Sequence, residues 1–206
     1  LSEIRRIAGE SDFKGTISDI GGPTANMYRM NCTRPEVRAR CRRLSCLHPN
    51  ICRWLDTDHG ALIKLMQAAL EQPGVKKVLV ASGIRMDLAE RSPQYIDELA
   101  RHHVGGRLKV APEHCDAEVL RRMRKPPIEQ FEEFARQFQG CSRAAGKEQY
   151  LELYLMAGHP GCDLAAMIHL AVYLKRHGLR PEKVQDFIPG PMDVATCMYH
   201  TGLDPI

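Results

Sequence analysis

A chain of 206 residues, 44% hydrophobic and 26% charged, is large enough to bury a core of its own and is read as one domain of ordinary soluble composition. Its formal net charge of +4 is mild and spread along the chain, and by itself demands neither nucleic acid nor a membrane surface as partner. No apolar run approaches the roughly 20 residues of a membrane span, and no signal-peptide pattern is present, so a cytoplasmic location is expected.

The segment Leu1-Ser2-Glu3-Ile4-Arg5-Arg6-Ile7-Ala8 already puts Leu1, Ile4, Ile7 and Ala8 at helical spacing, so the chain is expected to open inside an element, as a fragment would. A strand is predicted at 16–21. An aperiodic insertion at 24–56 follows, holding four cysteines and the basic run Arg38-Ala39-Arg40-Cys41-Arg42-Arg43. From Asp58 to Gln72 the residues Leu62, Leu65, Met66, Ala69 and Leu70 form a helical stripe that ends at Pro73-Gly74. A second strand is predicted at 77–82. Ser92 as N-cap, with Pro93 at the first helical position, starts a helix through His103. A third strand, 107–111, follows the break at Gly105-Gly106. A short helix from Asp116 to Arg124 stops at Pro126-Pro127. A longer one, 127–144, has Phe131, Phe134, Ala135 and Phe138 on one face. The fourth strand is 149–157. The helix 163–177 is expected to point Leu164, Met167, Ile168, Ala171 and Leu174 inward and to end at Gly178. The last strand is 183–188, and 195–200 reads as helix.

Alternation of this kind requires a parallel α/β sheet with covering helices. Five strands do not close an eight-stranded barrel, and a barrel needing one more strand before residue 1 would explain the opening helix. In a parallel barrel the C-terminal strand ends share one mouth, where sites are built. Each apolar run here stops at Gly, Pro and polar residues facing that mouth. After the first strand, Gly21-Gly22 lets a backbone approach a ligand closely, or simply makes a tight turn. Ser82, Arg85 and Asp87 follow the second strand, and Glu113 and His114 the third. An acid there can accept from sugar hydroxyls, and a guanidinium can hold a carboxylate in a fork. Gly158-His159-Pro160-Gly161 ends the fourth strand, with His159 a candidate base or a hydrogen-bonded supporting residue. Pro189-Gly190-Pro191 ends the last strand and leaves carbonyls free of a ladder.

The cysteines Cys32, Cys41, Cys46 and Cys52 are spaced C-x8-C-x4-C-x5-C. Four thiols within such a stretch suit zinc or an iron–sulfur cluster, although the spacing matches neither paired C-x2-C ligands nor a C-x3-C-x2-C triplet. Free cysteines in a loop are the alternative. Cys115, Cys141, Cys162 and Cys197 are scattered and read as ordinary thiols.

Taken in order, these strand ends resemble those of radical S-adenosylmethionine enzymes, whose core is a partial (β/α)6 barrel of TIM type. Gly21-Gly22 resembles the double glycine that contacts the methionine amino group, with Pro23 where an acid usually follows. Ala111-Pro112-Glu113-His114, with Val119-Leu120-Arg121-Arg122-Met123, resembles the region of ribose contacts. Ala157-Gly158-His159-Pro160-Gly161 resembles the turn packed near the adenine, and Phe187-Ile188-Pro189-Gly190-Pro191-Met192 the segment whose backbone reads it. More closely, Ser18-Asp19-Ile20-Gly21-Gly22-Pro23-Thr24-Ala25-Asn26-Met27-Tyr28, Cys41-Arg42-Arg43-Leu44-Ser45-Cys46, Val110-Ala111-Pro112-Glu113-His114 and Met198-Tyr199-His200-Thr201-Gly202 are similar to the YgiQ family of these proteins.

The resemblance implies a core barrel over 1–194, incomplete by its first βα unit, and the start of a further segment at 195–206. It implies S-adenosylmethionine and a [4Fe–4S] cluster as cofactors, an electron donor such as flavodoxin or ferredoxin, and a 5′-deoxyadenosyl radical that abstracts hydrogen from an unknown substrate. Gly21, Gly22, Ser82, Arg85, Glu113, Gly158, Pro160 and Pro189 are the implied cofactor-binding residues. The cluster's C-x3-C-x2-C ligands are absent and are expected upstream of residue 1, which leaves the chain inactive alone. The competing reading is a binding module, in which Cys32, Cys41, Cys46 and Cys52 hold zinc or an auxiliary cluster and the arginines dock RNA or a protein.

Overall fold

The computed structural model describes residues 1–21 and 25–205. Helices and short parallel strands alternate along it. Helix α1 (Ser2–Ala8) leads to strand β1 (Thr16–Ile17), and among the described residues of the insertion the short helix α2 (Pro35–Arg38) follows a 3-10 turn at Ala25–Met27. Then come α3 (Gly60–Leu70), β2 (Lys77–Val78), α4 (Met86–Ala89) and α5 (Pro93–Glu98), which runs on as a π-turn over Leu99–His103. Strand β3 (Arg107–Glu113), α6 (Ala117–Arg122), α7 (Ile128–Ala144), β4 (Tyr150–Ala157), α8 (Leu164–Arg176), β5 (Val184–Asp186) and α9 (Val194–Thr201) complete the order.

All the strand pairs are parallel. β1 pairs with β2, Thr16 opposite Lys77. β3 pairs with β4, Arg107 opposite Tyr150, and β4 with β5, Leu155 opposite Val184. A bridge between Ile84 and Val110, also parallel, ties the segment after β2 to β3. The strands therefore follow one another in sequence order, with every C-terminal end on the same side. Among the described residues they close no barrel.

Local chemistry explains the helix starts. Ser92 accepts the Tyr95 amide ahead of Pro93, Asp116 accepts the amides of Glu118 and Val119, Asp163 that of Ala166 and Asp193 that of Ala195. The main core lies where α3, α5 and α7 meet β3 and β4, around Met66, Tyr95, Leu99, Leu108, Phe134 and Phe138. Burying each of these side chains stabilises the fold by about 1.5–3 kcal/mol. A smaller cluster of Ile4, Ile17, Ala69 and Val78 seats α1 and α3 on β1 and β2.

Several expectations are corrected. β1 and β2 keep only two residues each of the runs predicted at 16–21 and 77–82; just beyond them the Leu79 amide still donates to Ile17 and the Ile20 amide to Leu79, after which the Asp19 carboxylate takes the Ala81 amide. The helix predicted through His103 changes to π geometry at Leu99. On α8 the buried residues are Ala166 and Leu170, while Leu164 and Ile168 are 76% and 56% exposed and Ala171 is exposed too. Only Met167 and Leu174 of the expected stripe pack on the core.

Candidate functional site

The strand ends gather in three groups. At the ends of β1 and β2, the Asp19 carboxylate accepts the amides of Gly21 (3.3 Å) and Ala81 (3.0 Å) on one oxygen and the Ser82 hydroxyl on the other. Burial pulls the Asp19 pKa upward, but the Ser82 hydroxyl and these amides outweigh it and hold the group below the ordinary carboxylate value. Asp19 thus binds Gly21 and Ser82 into one turn. Gly22 lies outside the described residues.

Arg85 belongs to a second, buried group. Its backbone amide donates to Asn26 Oδ1 (2.9 Å) and its carbonyl accepts from Asn26 Nδ2 (2.8 Å). Its guanidinium grips Asp87 through two nitrogens, at 2.7 and 3.2 Å. Asn26 is fully buried, and its amide nitrogen lies 3.5 Å from Nε2 of buried His59, whose ring stacks on Tyr95. Held by Asp87, this guanidinium braces the loop after β2.

The third group surrounds two adjoining cavities of about 340 and 270 Å3 at the ends of β3, β4 and β5, sharing Arg122, His159 and Met198. Gly158 and Pro160 line the larger, and Glu113, Met156, Phe187 and Asp193 the smaller. A register irregularity interrupts β3 between Val110 and Glu113, and Glu113 sits in the left-handed region at φ +65°. A non-glycine residue held there is strained, as at many ligand clamps. Lys125 fixes its carboxylate at 3.0 Å. Gly158 is also left-handed (φ +70°), and a Cβ there would meet open space. Pro189 is exposed and lines neither cavity.

His159 is 5% exposed. Its Nδ1 lies 3.1 Å from the Pro160 carbonyl and donates to it, and burial pushes its pKa down. His114, fully buried, accepts the Asp116 amide on Nδ1 (2.9 Å) and directs Nε2–H at the Cys162 sulfur, 3.7 Å away. Burial lowers its pKa as well. Cys162, read above as an ordinary thiol, is therefore partnered at the cavity wall. Arg122 crosses directly over Gly161, whose φ is +87°. Gly161→Ala is expected to cost about 1–2 kcal/mol in backbone strain and to push the Arg122 guanidinium out of both cavities. Urea unfolding measures the first effect. An unchanged midpoint would remove the stated role of Gly161.

Asp19, Asn26, Arg122 and Lys125 were not among the expected site residues. For Asp19 a signal was available, its place at the end of a predicted strand. Asn26 pairs across 59 residues of sequence, which spacing alone does not reveal. Of the insertion cysteines, Cys32 forms an antiparallel backbone bridge with Leu55, the Cys52 amide donates to the Cys46 carbonyl (2.7 Å), and Cys41 is exposed. Among the described residues no group of three or more His, Cys, Asp or Glu side chains is set to hold a metal ion. A larger cavity of about 680 Å3 lies at the other end of the strands, beside Arg107 and Tyr150 at the starts of β3 and β4. Its position away from the C-terminal ends argues against it as the site of chemistry. No described helix is long and apolar enough to cross a membrane.

The fold and site together define a parallel α/β unit with a polar, partly apolar double cavity at the C-terminal strand ends. The chain is 52% identical over 194 residues to a UPF0313 protein of Pseudomonas aeruginosa, a match covering 94% of this chain and 26% of that protein. It is 52% identical over 205 residues to a UPF0313 protein of Geobacter sulfurreducens and 48% identical over 205 residues to one of Methanosarcina mazei. These matches cover all of this chain and 34% and 33% of those relatives. Its homologues are thus UPF0313 proteins, and it spans about a quarter to a third of their length. No protein-family model and no solved structure matches it.

Proposed function

We propose that this chain forms the S-adenosylmethionine-binding part of a radical S-adenosylmethionine enzyme of the YgiQ type, its strands being part of a (β/α)6 barrel. The observation that carries the reading is the double cavity meeting at His159. It offers a fixed carboxylate at Glu113 for ribose hydroxyls, open space at left-handed Gly158, and an apolar wall of Met156, Phe187 and Met198 for a base. Strands adjacent in sequence order support a singly wound barrel over a doubly wound sheet, which reverses its order midway.

The residues fit the nucleoside end of the cofactor. They do not fit a [4Fe–4S] cluster, because the described cysteines are not gathered, and this reading gives no cluster ligand to the chain. Bound beside a reduced cluster, S-adenosylmethionine supplies hydrogen-atom abstraction from a substrate. This chain's part is to bind and orient it. The electron donor, a flavodoxin or ferredoxin, and the substrate belong to the whole protein. Asp19 would hold Gly21 and Ser82 against the methionine end.

Isothermal titration of the whole protein with S-adenosylmethionine tests the reading. Glu113→Gln is expected to weaken binding by about tenfold or more, since a charge-assisted hydrogen bond contributes roughly 1.5–3 kcal/mol. Failure of the native protein to bind sinks the reading, and unchanged affinity in the variant removes Glu113 from it. Zinc or an auxiliary cluster at Cys32, Cys41, Cys46 and Cys52 is the alternative, and metal analysis of the Cys32→Ala protein addresses it.

A further inference from the structure

We infer that the insertion at 24–56 is a docking surface for the phosphate backbone of a nucleic acid. The even spread of charge expected from composition does not hold there. This stretch carries seven arginines, no lysine and two carboxylates, a net +5, so the remainder of a +4 chain sums to −1. Arg38, Arg40 and Arg42 are exposed, and among the described residues none of them forms a salt bridge. Other arginines build the surface rather than bind on it. Arg43 donates to the carbonyls of Ser45, His48 and Asn50 at 2.7–3.2 Å and so shapes the loop. Arg34 and Arg53 lie 4.8 and 4.7 Å from the Trp54 ring.

A cluster of exposed arginines without salt-bridge partners among the described residues concentrates a polyanion at the insertion. The exclusive use of arginine suits a nucleic acid, because the planar guanidinium makes two-point contacts with phosphate, as it does with a carboxylate, and also stacks on aromatic rings, which the bases supply and carboxylate side chains do not. The aromatic partners are at hand in Trp54 and in Tyr28, 5.6 Å from Arg29.

The test is fluorescence anisotropy of the whole protein with labelled single-stranded RNA and DNA oligonucleotides of one sequence, across a salt series. Affinity is expected to fall steeply with salt. The variant Arg38→Ala/Arg40→Ala/Arg42→Ala should weaken binding at least about tenfold and flatten the log–log salt slope by about two. A control variant on other exposed faces, Arg6→Ala/Arg143→Ala/Arg176→Ala, should leave both unchanged. The single reversal Arg40→Glu gives the same readout if the triple replacement disturbs the fold. Binding of both oligonucleotides supports the shared backbone chemistry, and binding of one alone identifies its source. Binding of neither, equal loss in the control, or capture of an acidic flavodoxin without either nucleic acid overturns the inference. None of these outcomes depends on S-adenosylmethionine.

Discussion

Replacing Asn26 by alanine is expected to lower the unfolding free energy by about 3 kcal/mol, the sum of two buried backbone groups left unpaired at roughly 1–3 kcal/mol each. Asn26 is fully buried and uses both halves of its amide on one residue, accepting the Arg85 amide and donating to the Arg85 carbonyl. Arg85 is also the residue before α4, which has no side-chain cap of its own. Loss of the bracket frees the turn that aims Arg85 at Asp87, so local order after β2 goes with it. Asn26→Asp should be equally damaging, because an oxygen would then face the Arg85 carbonyl. Urea unfolding monitored by far-ultraviolet circular dichroism reads the effect. A loss below about 1 kcal/mol would mean that water replaces the bracket at little cost.

Glu90 gives the second large effect, and its size depends on pH. Burial first, then the charges of Glu133 and Asp87, raise its carboxyl from 4.5 to about 7. One of its oxygens is buried without a hydrogen-bond partner among the described residues. Because the folded value lies above the unfolded one, the associated stability is fully present below about pH 4.5 and is lost as pH rises through about 7. Glu90→Gln removes the ionisation. It should therefore leave stability near its native level at about pH 5 and raise it by about 1–2 kcal/mol at about pH 8, a figure reduced for the group's partial contact with solvent. Denaturant titrations of both proteins at the two pH values decide this. A constant difference between them would place the effect in packing and not in charge.

Much of the fold was legible in the sequence because its punctuation is strong. Ser92-Pro93, Pro126-Pro127 and Gly178 mark ends that the structure keeps within a residue or two, and Phe131, Phe134 and Phe138 bury as their spacing requires. Apolar spacing failed on α8, where Leu164 and Ile168 have the helical period of a core stripe but face outward. Periodicity identifies a face and not the partner that covers it. The insertion was illegible for another reason. Its order comes from side chains reaching backbone at irregular distances, as when Thr33 bonds the Trp54 carbonyl and Arg43 gathers three carbonyls. At the site, the sequence marked the strand ends but not which would meet. Glu113, Gly158 and Pro160 converge on the cavities, Gly21 and Ser82 join through Asp19, and Arg85 turns to its own salt bridge.

Strand β5 carries a consequence for handling the protein in solution. It stands last in the parallel order, its three residues are all exposed, and Val184 and Ile188 are 47% and 76% exposed. Its outer backbone groups have no strand to bond among the described residues, and such an edge recruits strands from neighbouring molecules. Lys183 and Asp186 place opposite charges along the run and Pro189 cuts it short, as in natural strands that resist aggregation. Removing those charges would weaken the guard that this short edge has against pairing with a strand of a second molecule.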